Sequence, residues 1–265
     1  MKITFLGHAS LQIEVGGKHL VVDPFITGNP INSVINIESL QADYILITHA
    51  HQDHILDVQA IGERTGATII SNFEIVSHFE KMGLTGHPMN HGGNWTFDFG
   101  DLQYVNAIHS SSFPDGSYGG QPGGFILSTS EGTIYIAGDT ALTYDMKLYG
   151  QSHQIDLAVL PVGDNFTMGY KDALKASKLL GCSKVLGYHF DTFGLIKIDH
   201  EAAKSHFLDW HRRSGCGRRP DLVRQSTTIP GRLTPTSEAA ESAAAGAAAD
   251  AVVCAYQEAA TAQIA

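Results

Sequence analysis

The chain has 265 residues, 43% hydrophobic and 17% charged, with 28 Gly and 9 Pro. That is enough apolar material for one large core or two small ones, and it excludes a collagen-like or wholly disordered protein. The net charge of −10, from 27 acidic and 17 basic side chains, argues against a protein that coats nucleic acid or anionic membrane.

Short apolar or alternating runs at 3–6, 11–15, 19–22, 44–48, 67–71, 95–99, 102–108, 124–129, 133–137, 157–161 and 184–188 read as strands, each closed by Gly, Pro, Asp or Asn. Helical spacing of apolar residues predicts helices near 55–65, 73–82, 142–150, 170–180 and 199–210. Many strands interspersed with a few helices imply a layered α/β domain over residues 1–210. The Gly-rich stretch 117–124 reads as a hairpin or lid, too irregular for a phosphate-binding loop.

Composition changes near residue 211. Arginine occurs once before it, at Arg64, and six times in residues 212–232; alanine then fills 14 of the last 27 positions. Residues 211–265 therefore read as an atypical extension, Arg-rich and then Ala-rich, in which a loose helix and a disordered tail are the alternatives. The one strand-like stretch there is a weak one at 221–229, and without a closing strand a sheet edge is expected to lie open. Cys182, Cys216 and Cys254 form neither a CxxC pair nor a disulfide ladder and read as incidental thiols of a reducing compartment. The chain starts without a signal-peptide pattern and contains no long apolar run, so the expected location is the cytoplasm.

Chemistry concentrates where strand 44–48 ends, in Thr48-His49-Ala50-His51-Gln52-Asp53-His54. Imidazole and carboxylate suit zinc and related divalent ions, and the lack of cysteine favours an open, water-bearing site over a closed structural one. The alternative is a polar histidine-rich loop without metal, which leaves four ligand-type residues in six positions unexplained. Three more strands end in similar residues: His109, Asp139 and His189. Singly, these read as a turn cap, an Asx turn and a core histidine. Together with the loop they predict one shared edge, because functional groups in α/β sheets gather beyond the carboxyl ends of strands.

The order His49-x-His51-x-Asp53-His54, His109, Asp139, His189 resembles the metallo-β-lactamase superfamily. The likeness extends to Val21-Val22-Asp23-Pro24-Phe25, Phe97-Asp98-Phe99-Gly100, His109-Ser110-Ser111-Ser112, Gly138-Asp139-Thr140 and Gly163-Asp164-Asn165-Phe166-Thr167-Met168-Gly169. These are similar to metal-dependent hydrolases of that superfamily related to the ascorbate-phosphate lactonases. The resemblance covers residues 1–208 and implies a four-layer αββα sandwich with its site at one edge. It also implies two divalent ions: His49, His51 and His109 on the first, Asp53, His54 and His189 on the second, and Asp139 bridging both. Zinc is the expected metal, with Mn2+ or Fe2+ as alternatives.

Three neutral imidazoles leave the first ion an open position, and two divalent charges lower the pKa of a shared water, so that a bridging hydroxide can act as nucleophile. Asp53 and His189 are the candidate catalytic residues, Asp53 being placed to orient the hydroxide and pass a proton to a leaving group. Asp23 and His8 are candidates for fixing imidazole tautomers, though both also read as turn and strand residues. Phe166 and Met168 read equally as the floor of an apolar pocket or as packing against the next helix. Gln52 stands where the family usually has a smaller residue and narrows the approach.

The expected function is hydrolysis of a small ester, lactone, amide or phosphodiester. A nuclease of the same superfamily and a non-catalytic metal-binding protein are the alternatives. The expected partner is a small-molecule substrate, with no nucleic acid and no membrane, and a homo-oligomer is an open possibility.

Overall fold

A computed structural model of the chain describes residues 1–32, 35–213, 226–228 and 252–254. Fourteen strands form two seven-stranded sheets. In the first, β1 (Lys2–Gly7), β2 (Ser10–Val15) and β3 (Lys18–Val22) run antiparallel, then β4 (Tyr44–Leu46), β5 (Thr68–Asn72) and β6 (Gly86–Met89) continue parallel to β3. In the second, β7 (Asn94–Phe97), β8 (Gly100–Asn106), β9 (Gly123–Thr129) and β10 (Gly132–Ile136) form an antiparallel meander, and β11 (Leu157–Pro161) and β12 (Val185–Tyr188) follow in parallel. Each half of the chain thus repeats one plan, an antiparallel meander that gives way to parallel crossovers.

Two sheets face each other over a core that includes Leu11, Leu20 and Leu46 from one and Tyr104, Phe125 and Val159 from the other. The outer face of the first sheet is covered by α1 (Gln52–Ile55), α2 (Val58–Thr65) and α3 (Phe73–Glu80), through Ile45, Ile61 and Val76. The outer face of the second carries α4 (Asp145–Ser152), α5 (Tyr170–Leu180) and α6 (His200–Arg213), through Tyr135, Met146, Ala173 and Phe207. Helix, sheet, sheet, helix: the four-layer sandwich is the expected one.

Local chemistry sets the helix ends. Asn72 caps α3 by accepting from the Ile75 amide at 2.9 Å, and α2 and α5 stop at Gly66 and Gly181, both in the left-handed region that glycine enters without strain. The helix expected at 55–65 proves to be two, since α1 begins inside the ligand loop. Strand β6 is absent from the sequence reading because Gly-His-Pro-Met shows no alternation. It forms at a sheet edge, where proline is tolerated. Of the stretch 117–124, expected as a hairpin or lid, Tyr118 bridges Ser112 across a tight turn, Asn72 Nδ2 holds the irregular part through the carbonyls of Gly119 and Gln121, and Gly123 and Gly124 open β9.

The expected open edge is partly filled. Ser226–Thr228 (β13) pairs antiparallel with β1, and Val252–Cys254 (β14) pairs parallel with β12. Strand β13 falls within the weak strand-like stretch expected at 221–229, whereas β14, three residues in Ala-rich surroundings, carries no readable period; the rest of the expected extension after Arg213 lies outside the described residues. Cys182 is buried, and burial pushes its thiol up to about 12, consistent with an inert core thiol. Among the described residues no helix is long and apolar enough to cross a membrane.

Candidate metal centre

Six strands, β1, β3 and β4 from one sheet and β8, β10 and β12 from the other, point their carboxyl ends to one edge of the sandwich. The next residues are His8, Asp23, His49 to His54, His109, Asp139 and His189. Strand β4 ends where its ladder partner is replaced by a side chain. The Ile47 amide still makes the ladder bond to the Ile70 carbonyl of β5, and the next amide, Thr48, donates instead to Asp23 Oδ1 at 2.8 Å. His8, Asp23 and His189 adopt φ of 54°, 44° and 57°, the left-handed region that non-glycine residues occupy only when the surroundings over-determine it.

The seven expected ligand residues meet around Asp139. Its Oδ2 lies 2.9 Å from His189 Nε2, 3.5 Å from His54 Nε2, 3.5 Å from His109 Nε2 and 3.9 Å from His49 Nε2. His49, His51 and His109 form one group whose nitrogens all lie within 4.8 Å of one another, and Asp53, His54, His189 and His8 form a second. A third group joins His49 and His54 to Asp139, and His8 in the second group is not among the ligands the resemblance implies.

Several of these atoms have no hydrogen-bond partner although they are buried: His54 Nε2, Asp139 Oδ1 and both ring nitrogens of His189. The short approach of His189 Nε2 to Asp139 lacks hydrogen-bond direction. Buried polar atoms left unpaired cost roughly 1–3 kcal/mol each, so such a concentration at one point calls for a ligand. The donor set, imidazole nitrogen and carboxylate oxygen without thiolate, fits a divalent ion such as zinc.

Electrostatics agree. Burial lowers the pKa of His49, His51 and His109 and keeps them in the neutral, ligating form. Burial opposes ionisation of Asp139, but His189 and His54 outweigh it and hold the carboxyl well below the usual carboxylate range. His54 is desolvated too, yet Asp139 and Asp23 raise it well above an ordinary histidine. In an ion-free protein a proton therefore occupies the position a cation would take.

The surrounding hydrogen bonds decide which nitrogens are free. Asp23 Oδ2 accepts from His54 Nδ1 at 2.9 Å and from Thr48 Oγ1 at 2.6 Å, and Thr48 Oγ1 stands 3.0 Å from His49 Nδ1. Asp23 thus directs His54 Nε2 inward, and through Thr48 it does the same for His49 Nε2. His8 donates from Nε2 to Asp53 Oδ2 at 3.0 Å, while its Nδ1 meets Thr192 Oγ1 at 2.9 Å. Burial lowers His8 to about 4, so its ring is neutral with both nitrogens engaged, which makes it a brace for Asp53.

Thr48, Thr192 and Ser111 are partners the sequence reading missed. Ser111 Oγ accepts from the Ala50 amide and donates to the Gly119 carbonyl, tying the ligand loop to the hairpin. Only Thr48 and Ser111 carried a signal, their adjacency to His49 and His109. Of the substrate-side candidates, Met168 is buried against α5 while Phe166 is exposed, so the two play different parts. Gln52 opens α1 and is exposed.

Comparison with known proteins bears on the same residues. The model of the beta-lactamase superfamily domain matches residues 2–189. The chain is 63% identical over 209 residues to a UPF0173 metal-dependent hydrolase of Flavobacterium johnsoniae, covering 79% of this chain and 93% of that one. It is 46% identical over 232 residues to another from an Exiguobacterium species, covering 86% and 99%. Among solved structures, Igni18, a metallo hydrolase of the archaeon Ignicoccus hospitalis, superposes with a TM-score of 0.75 at 32% identity, covering 88% of this chain and 99% of that one. A matching family model, close relatives and one convergent His/Asp edge lead to a single conclusion: the chain belongs to the metallo-β-lactamase superfamily and is one of its metal-dependent hydrolases.

Proposed function

We propose that the protein hydrolyses a small ester, lactone, amide or phosphodiester at a centre of two divalent ions, zinc first and Mn2+ or Fe2+ as alternatives. His49, His51 and His109 would hold one ion, Asp53, His54 and His189 the other, and Asp139 both. The observation that carries this reading is the Asp139 carboxylate, within 2.9–3.9 Å of four imidazole nitrogens and flanked by two separate donor groups. When bound, such ions supply Lewis acidity and lower the pKa of water towards neutrality.

The chain's own groups do the rest. Asp23 and Thr48 set the imidazole tautomers. Asp53, whose side chain keeps 28% of its exposure, is oriented by His8 and, against the effect of burial, held ionised by His54 and His8, so it would take up the proton released by the attacking water and then pass it to a leaving group. His189 Nε2 lies between the two carboxylates, 2.9 Å from Asp139 and 3.9 Å from Asp53, and fixes their relation to the reacting atoms.

The proposal includes a small-molecule substrate, a cytoplasmic location and no nucleic-acid or membrane partner. The acidic charge supports it, as does Arg64, the one arginine before residue 211, which is spent on the carbonyls of Ile37 and Leu40. Metal content per chain tests the reading, measured on protein purified without added metal. About two equivalents, falling below about one in Asp139→Ala, with ion-dependent turnover of an ester, lactone, amide or phosphodiester, is the expected result. A folded protein holding less than about half an equivalent and taking up none on titration would overturn it.

A further inference from the structure

Beside the Asp53 end of the centre lies a strip of apolar surface that the proposed hydrolysis does not by itself require. The Phe193 ring centroid is 5.4 Å from that of His8 and 6.1 Å from that of Phe25, and the His8 ring lies 4.2 Å from that of His189 at a tilt of 43°. A Cβ at Gly28 would overlap both Leu56 and Phe25, so the glycine lets these two side chains close over it and extends the strip past α1. Leu56, Phe193 and Leu195 are 39%, 38% and 70% exposed. Exposed apolar side chains scattered singly mean little, but Leu56 and Phe193 are joined through Phe25, Phe193 ends on His8 beside His189, and Leu195 follows Phe193 in the 3-10 turn Gly194–Ile196.

We infer that this strip binds the uncharged, apolar arm of an acyl substrate, an ester or lactone, whose reacting carbonyl lies at Asp53 and His189. The inference rests on the hydrolase reading above and narrows it. An apolar arm gains by leaving water against Phe193 and Leu195, whereas a phosphate or carboxylate arm would be desolvated there without a fixed partner. Arg64 is committed elsewhere, and Lys197 is the sole cation between Phe193 and His200 along the chain. The acidic neighbour Asp191 is bound to His200 at 2.5 Å and to the Ile198 amide at 3.1 Å, which holds the segment in place.

The test is calorimetric binding of a hydroxamate series, from acetohydroxamate to octanohydroxamate, to the metal-loaded protein. Each added methylene should tighten binding by about two- to fourfold until the strip is covered. Phe193→Ala and Leu195→Ala should each flatten that dependence, while Trp95→Ala, an exposed aromatic on β7 with His87 as its ring neighbour, should keep it. Affinity that does not change with chain length overturns the inference. So does a carboxylate-tipped probe that binds more tightly than its uncharged match and loses the gain in Lys197→Ala. If sedimentation shows a dimer that Phe193→Ala dissociates, with flat chain-length dependence, the strip is covered by a second copy and the inference falls. A chain-length dependence without turnover of any ester or lactone would overturn the assignment of the arm to an acyl substrate, while amide and phosphodiester hydrolysis would stay open to the metal-loaded protein.

Discussion

The two halves of the candidate centre are held very differently. His54 is fully buried and fixed by Asp23, and Asp53 is braced by His8, which Thr192 braces in turn. His51 and His109, in the other half, are only partly buried, and His51 has just His49 Nε2 at 3.0 Å and Ser110 Oγ at 3.2 Å as side-chain partners. Each half has one fully buried histidine, His54 or His49, and each keeps ligands near solvent, but Asp53 has a buried brace in His8 while His51 has none. The lesson is that a ligand set of similar chemistry can divide its labour, with buried hydrogen bonds fixing geometry on one side and exposure leaving room for substrate and ion exchange on the other.

That contrast can be broken at defined points. His51→Ala should lower turnover by roughly 10²–10³-fold through loss of electrostatic stabilisation, yet leave the unfolding free energy of the metal-free protein within about 1 kcal/mol, as urea titration would show. Asp23→Ala should do the opposite. Removing a buried acceptor from Thr48 and His54 should destabilise even the metal-free protein by about 3 kcal/mol and weaken metal binding by about 10–100-fold, read by denaturation and by metal titration. Equal destabilisation by the two variants would abolish the distinction between the halves.

Chelation should sharpen it further. Removing ions present at about 100 times their dissociation constant lowers stability by about 2.7 kcal/mol per site, which calorimetric unfolding with and without chelator would detect. The half with His51 should lose its ion first, as seen in stepwise metal release. The smallest effect is expected from Ser110→Ala, about 0.5 kcal/mol or less, because its hydroxyl is exposed and its contact with His51 is long.

How much of this was readable before folding depends on distance along the chain. The ligand loop at 49–54 is a local pattern, and strand ends at His109, Asp139 and His189 can be found by period and punctuation. Asp23 and His8 were visible only as candidates, since nothing local says that Asp23 meets Thr48 and His54 or that His8 meets Asp53 and Thr192. Thr192 lies 184 residues from His8, and no spacing rule spans that separation. Edge strands β6 and β14 were unreadable, and β13 was visible only as part of the weak stretch 221–229, for another reason: three or four residues with a proline, or set in Arg- or Ala-rich sequence, take their conformation from the strand beside them.

The sequence by itself therefore determined the layered α/β class and the residue types of a divalent metal site, because alternation, helical period and ligand spacing are short-range and act through the chain's own backbone. Only the tertiary structure decided that six strand ends from two sheets share one edge and that Asp139 stands at the focus of the imidazoles. It alone decided, too, which nitrogens point inward and that Phe25 and Phe193 adjoin His8. These are contacts between segments far apart in sequence, set by how two sheets pack and by where buried hydrogen bonds can be satisfied.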